Sequence, residues 1–180
     1  MEDFRYDRFA MALHWITAIL VITLFSLAHI WDFFPHNGPE QRTLQTAHVS
    51  LGVVLTAVVI IRLIWRAASG RNIPPALQGF EGLAARAMHY FLYILLLVMV
   101  IAGFGKRWAG HHGVEFFGLS IPSPMIADPA WRQDFNLVHH WGAWIIIIFA
   151  GLHAAAALYH HFVSHDGVLR RMLPAREPNE

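Results

Sequence analysis

Four apolar runs dominate the chain, at about residues 10–31, 44–66, 84–105 and 138–163, each near the roughly 20 residues a helix needs to cross a bilayer. Polar stretches punctuated by Gly and Pro separate them. WDFFPHNGPEQR follows the first run, RAASGRNIPPALQGFEG the second, and a longer connection from Lys106 to about Leu137 the third. The pattern predicts an all-α membrane protein, one domain over residues 1–180 folded as a four-transmembrane-helix bundle. The first run exceeds the roughly 7–15 apolar residues of a secretion-signal core, so it is expected to stay as a span although Ser26-Leu27-Ala28 resembles a cleavage site.

Basic residues orient the bundle. Arg5, Arg8, Arg62, Arg66, Arg71, Arg86, Arg170, Arg171 and Arg176 fall on the side of the termini and the second connection, against Arg42, Lys106, Arg107 and Arg132 on the other. The excess predicts both termini in the cytoplasm, with helices 1 and 3 running outward.

Composition sharpens this picture. Hydrophobic residues make up 56% and charged residues 14% of the 180-residue chain, as in membrane proteins, and the net charge of +1 excludes nucleic-acid binding by electrostatics. Cysteine is absent, which excludes disulfides, thiolate zinc sites, iron–sulfur clusters and covalently attached c-type haem. Histidine, at 13 residues, equals Lys and Arg together, an excess that asks for metal ligation or proton handling.

Polar groups at membrane depth are costly and usually face a partner inside the bundle. His14 lies about one turn inside the cytoplasmic end of helix 1, and His48 at similar depth inside the outer end of helix 2. Helix 4 carries a histidine at each level: His139 or His140 outside, His153 toward the cytoplasm. His139 and His153 are 14 residues apart, which at about 100° per residue is about 40° short of four turns, so they share a face. His140 stands roughly 140° away from His153. Along the axis the 14 residues span about 21 Å, room for two cofactors in layers but too far for one metal.

Pairing by depth puts His14 with His153 and His48 with His139, and each pair could clamp one haem. Two imidazoles per iron leave no open position, which suits electron transfer. Small neighbours such as Gly52, Gly142 and Ala157 leave space for a flat macrocycle, although small residues also serve plain helix packing. Interhelical hydrogen bonding, a proton relay and a histidine-lined metal transporter are the competing explanations of the same histidines. No GxGxxG, GxxxxGK[ST] or HExxH pattern is present, so nucleotide binding and zinc hydrolysis have no support.

Several stretches carry a family likeness: YDRFAMALHW, HVSLG, IRLIWR, FFGLSIP, GLHAAAALYHHF and LRRMLP, of which GLHAAAALYHH is the most specific. Through them the chain resembles, over nearly its full length, the bacterial cytochrome b561 group, in particular the small diheme type that acts as superoxide oxidase. The resemblance implies an oxidoreductase of the bacterial inner membrane with two non-covalent haem b groups that moves electrons from superoxide to ubiquinone. His14, His48, His139 and His153 match the positions of its iron ligands. HHWG at the start of helix 4 departs from the family's single histidine followed by an acidic residue, which keeps His140 as the alternative to His139.

Within that frame, Lys106, Arg107 and Arg132 are candidates for steering superoxide, or cations that snorkel to the headgroups. Arg8, Arg62 and Arg66 are candidate partners for haem propionates. His160, seven residues after His153 and on the same face, is a candidate proton donor to quinone, with His161, His165 and Asp166 as a route to water. His89 has no expected partner at its level, and His29 is the reserve outer ligand. Expected partners are lipid, quinone and superoxide, with a second copy of the chain or a dehydrogenase left open. A cytochrome b anchor subunit serving a partner dehydrogenase is the main competing function.

Overall fold

The protein is described by a computed structural model over residues 5–68, 74 and 76–174. Arg71 and Arg176, two of the orienting cations, lie outside the described residues. Four long helices, α1 (Arg8–Ile30), α2 (Pro39–Ala68), α3 (Gly79–Ala109) and α4 (Pro129–Tyr159), run antiparallel, and all are long and apolar enough to cross a membrane. In hydrocarbon each backbone N–H and C=O must be satisfied within the segment, and a helix does this.

The helices extend past the apolar runs at most of their ends. The largest difference is at α4, which begins at Pro129, inside the stretch read from the sequence as a connection. Asp128 explains the start: its side chain accepts from the N–H groups of Ala130 (2.8 Å) and Trp131 (3.2 Å), and Pro129 takes the first helical position, where no N–H is needed. Asp7 caps α1 in the same way through Ala10 N–H at 2.8 Å.

A two-stranded antiparallel hairpin, β1 (Val114–Phe116) and β2 (Leu119–Ile121), fills the connection between α3 and α4 and adds a strand pair to the expected all-helical fold. Phe117 (φ 45°) and Gly118 (φ 88°) form its two-residue turn, where both backbone positions require positive φ. Ser50 of α2 holds the hairpin down, donating to Glu115 O and accepting from Phe117 N–H, both at 3.2 Å.

The first and last described residues lie at the opposite end of the bundle. There Trp15 Nε1 donates to Met172 O (2.9 Å), Tyr6 N–H to Arg171 O (3.1 Å), and the Arg171 guanidinium to Pro74 O (2.6 Å). The two ends are called here the hairpin end and the terminal end.

Packing is uneven. α1 lies closely along α2 and α3 along α4, while contacts between these two pairs are sparse. Leu20, Leu24, Leu55, Val59, Leu96 and Ile146 form the buried core in the middle of the bundle. The outward faces are as apolar as that core: Ile19, Ile64 and Ile101 are each more than half exposed, as lipid contact favours.

Candidate functional site

Histidines face each other across the gap between the helix pairs at two levels. At the hairpin end His48 of α2 meets His139 of α4, with ring centroids 6.1 Å apart and planes at 76°. At the terminal end His14 of α1 meets His153 of α4, at 6.2 Å and 78°. All four are half-buried. His140 is exposed, its ring set against Trp141, so the wheel geometry that favoured His139 agrees with the contacts.

The spacing suits one metal held by two imidazoles. Two metal–nitrogen bonds of about 2.0–2.1 Å, with each ring centroid about 1.1 Å behind its nitrogen, put the centroids about 6.3 Å apart. Among the described residues there is no group of three or more His, Cys, Asp or Glu side chains placed to hold a metal. A pair of histidines completes a coordination shell when the remaining donors come from a macrocycle, so the arrangement fits haem better than a bare divalent ion.

The second nitrogen of each ring separates the two levels. His48 Nδ1 lies 3.0 Å from Leu24 O and His139 Nδ1 lies 3.3 Å from Met99 O. A carbonyl only accepts, so each Nδ1 carries the proton and each Nε2 keeps its lone pair for a metal. His139 reaches Met99 O because α3 has glycine at 103, where a Cβ would stand 3.2 Å from His139 Cε1. Gly142 serves helix contact, since a Cβ there would meet Met99 Sδ at 2.6 Å, whereas at Gly52 a Cβ would meet nothing within 4 Å.

His14 has the opposite arrangement. The Arg62 guanidinium donates to its Nδ1 at 2.9 Å, so that nitrogen accepts and the proton of a neutral ring sits on Nε2. A metal at Nε2 therefore requires Arg62 to release the ring and turn to another acceptor, a role that a carboxylate on a bound group would fill. Arg62 and Arg66 both lie over the Tyr93 ring, at 5.1 and 5.8 Å. Arg8 is exposed on the first turn of α1. His89, expected to be without a partner, stands 5.2 Å from the His153 ring and extends this cluster onto α3. His29 joins neither pair: it packs against Phe25 and Trp144 and bonds Phe25 O at 2.8 Å.

Of the three steering candidates, Arg107 donates twice to Gly113 O, at 3.1 and 2.6 Å, and so braces the loop before the hairpin. Arg132 is exposed, and Lys106 is half-buried on the last turn of α3. On the same helix turn, Trp108 Nε1 is a buried donor without an acceptor among the described residues, a costly state at about 1–3 kcal/mol that an acceptor on a bound group would relieve. Sequence reasoning passed over Trp108, Met99 and Gly103.

At the terminal end, a cavity of about 280 Å3 opens between α3, α4 and Val168. Its walls are mostly apolar, with Glu81, His89, His153 and His160 supplying the polar groups. His160 Nδ1 is bonded to the Asp166 carboxylate.

Several known proteins resemble this chain over most of its length. A family model described as prokaryotic cytochrome b561 matches residues 5–175. The chain is 34% identical to cytochrome b561 homolog 2 of Escherichia coli (strain K12), over 94% of this chain and 91% of that protein. It is 26% identical to a probable superoxide oxidase of Yersinia pestis, over 96% and 97% of the two chains. To a probable Ni/Fe-hydrogenase B-type cytochrome subunit of Bradyrhizobium diazoefficiens it is 23% identical, over 93% of this chain and 65% of that protein.

Proposed function

The chain belongs to the prokaryotic cytochrome b561 family of membrane b-type cytochromes, and from that premise we propose that it is a diheme superoxide:ubiquinone oxidoreductase of the bacterial inner membrane. The observation that carries this reading is the facing histidine pair at each end, at 6.1 and 6.2 Å, the spacing of a bis-imidazole iron. His48 and His139 would hold one haem b, and His14 and His153 the other. Arg62, once it leaves His14, is the nearest candidate for the propionates at the terminal end, with Arg66 beside it. The basic residues orient the hairpin end outward and both termini toward the cytoplasm.

Haem supplies a one-electron carrier at each level, and the chain does the rest. Two superoxide ions release two electrons and leave two O2; one ubiquinone takes two electrons and two protons to become quinol. Lys106 and Arg132 draw the superoxide anion to the hairpin end. Two histidines on each iron, His48 with His139 and His14 with His153, would leave no position on the metal for oxygen. His160, in the wall of the terminal-end cavity, delivers protons to quinone bound there.

The test is superoxide-dependent reduction of a short-chain ubiquinone by the purified, haem-loaded protein. The expected rate stands well above the protein-free control and is lost in His139→Ala. A wild-type rate equal to the control overturns the reading.

A second reading, a cytochrome subunit that exchanges electrons between quinone and a dehydrogenase, is favoured by the likeness to the hydrogenase B-type subunit. The chain covers 65% of that protein but 97% of the probable superoxide oxidase, which supports the first reading. Stable co-purification with a dehydrogenase subunit, together with no superoxide-dependent rate, selects the second.

A further inference from the structure

The end of α4 is built around one side chain. After Tyr159 the helix widens into a single π-type turn, His160–Ser164, of the kind that often marks functional sites. His165 then takes a left-handed conformation (φ 53°) and Gly167 another positive φ (79°), which reverses the chain and returns Asp166 to His160. Asp166 uses both oxygens: Oδ2 on His160 Nδ1, and Oδ1 accepting from Val168 N–H at 3.2 Å. The segment that follows is tied to the start of α1 through Met172 and Arg171, so the carboxylate sits in a braced turn.

The pair borders the terminal-end cavity. The His160 side chain is 15% exposed and lines it, and the Asp166 side chain is 26% exposed. At about 280 Å3 the cavity is near the lower limit of small-molecule sites, roughly 300 Å3, which suits a single substituted ring. The other ionisable groups around it are Glu81 and His89 from α3 and His153 from α4, while the His165 ring is engaged with His161 O at 3.0 Å.

We propose that Asp166 is a positioning residue for quinone protonation, holding His160 in one orientation and one tautomer so that Nε2 is the nitrogen that works on the quinone. This rests on the quinone reading given above. A carboxylate accepts only, so the neutral ring carries its proton on Nδ1. Nε2 then takes a proton from water and passes it to a quinone oxygen, and the ring returns to the same tautomer. Two such transfers, with two electrons from the haem side, form the two O–H bonds of the quinol. Without Asp166 the ring has two tautomers and a loose orientation, so only a small share of its encounters combine the working nitrogen with the productive geometry.

The experiment uses the full-length, haem-loaded protein, reduced anaerobically, and follows haem reoxidation by a short-chain ubiquinone in a stopped flow. Asp166→Asn is expected to slow reoxidation at saturating quinone about 10- to 100-fold, within the range of general acid–base effects. Its apparent quinone affinity should stay within about twofold of wild type, as expected when only the reacting geometry is lost. Asp166→Glu restores most of the rate, and Asp166→Asn adds nothing in a His160→Gln background, as for residues that act as a unit. A readout independent of turnover is the 15N spectrum of histidine-labelled protein: His160 is expected as the Nδ1–H tautomer in wild type and as a mixture in Asp166→Asn. A His160-dependent rate that ignores Asp166→Asn, or an unchanged tautomer, overturns the positioning role alone. Reoxidation that ignores His160→Gln as well removes the quinone reading and this role with it.

Discussion

The two histidine pairs share a spacing and differ in what supports them. At the hairpin end, main-chain carbonyls of Leu24 and Met99 set the protons of both rings. At the terminal end, the partners are side chains: Arg62 on His14, and the His89 ring beside His153. Backbone acceptors stay in place as long as the helices do, so the hairpin-end pair is preorganised for a metal, with the lone pair of Nε2 left available on each ring. The terminal-end pair must rearrange, because Arg62 occupies the proton-bearing position that a ligating His14 needs. The same coordination can thus be prepared by rigid backbone at one site and left to exchangeable side chains at the other.

Removing one ligand gives the largest effect and tests whether the two levels are separate. His48→Ala is expected to abolish the hairpin-end haem and leave the terminal-end one, and His153→Ala the reverse, so each variant retains about half the absorbance of the reduced b-haem band. Loss of both haems in either variant would show one coupled site in place of two.

Gly103 probes the backbone-supported pair alone. A side chain at 103 pushes on His139, so Gly103→Val is expected to cost about 1–3 kcal/mol in thermal unfolding and to weaken the hairpin-end haem while sparing the other. Equal loosening at both levels would count against a local role.

Arg62→Leu probes the side-chain-supported pair. Support of this kind changes metal-site affinity by about 10- to 100-fold, and the expected result is roughly 10-fold faster loss of the terminal-end haem to an apo-globin acceptor, with partial recovery in Arg62→Lys. An unchanged rate would mean that Arg62 contributes no more than charge orientation.

The smallest effect concerns acid. Asp7 caps α1 and joins it to α2 through Trp65 Nε1, at 3.1 and 3.2 Å from its two oxygens. Burial alone would raise its carboxyl, but bonds from Ala10 N–H and Trp65 outweigh it and hold the group below the usual 3.8. A depressed carboxyl stabilises the fold above its unfolded value, and that contribution fades as pH falls through the folded value. Below about pH 4 the terminal end should therefore loosen, and Asp7→Ala, which removes a cap worth about 0.5–2 kcal/mol, should flatten this part of the pH profile of melting.

How much of this was legible in the chain depends on the range of each interaction. Apolar runs and helical periodicity are local, so the four helices, the matched depths of His14, His48, His139 and His153, and the separation of His139 and His140 onto different faces of α4 could be read directly. Asp128-Pro129 is also a local signal, a helix start that the weight given to the apolar run from 138 onward obscured. Met99 O, Gly103 and the approach of His89 to His153 depend on how α3 lies against α4, and no spacing within one helix encodes that. The exchange between Arg62 and His14 joins residues 48 apart in the chain. Sequence could mark Arg62 as a cation near the membrane surface, but not the nitrogen it would find.

The central claim is that two facing histidine pairs each hold one haem and that His139, not His140, serves the hairpin end. The most direct measurement is the reduced-minus-oxidised visible spectrum of the purified chain with a haem count, taken on wild type, His139→Ala and His140→Ala. The account predicts two, one and two b haems per chain. A wild type with fewer than two, or loss of a haem with His140→Ala while His139→Ala keeps both, would contradict it.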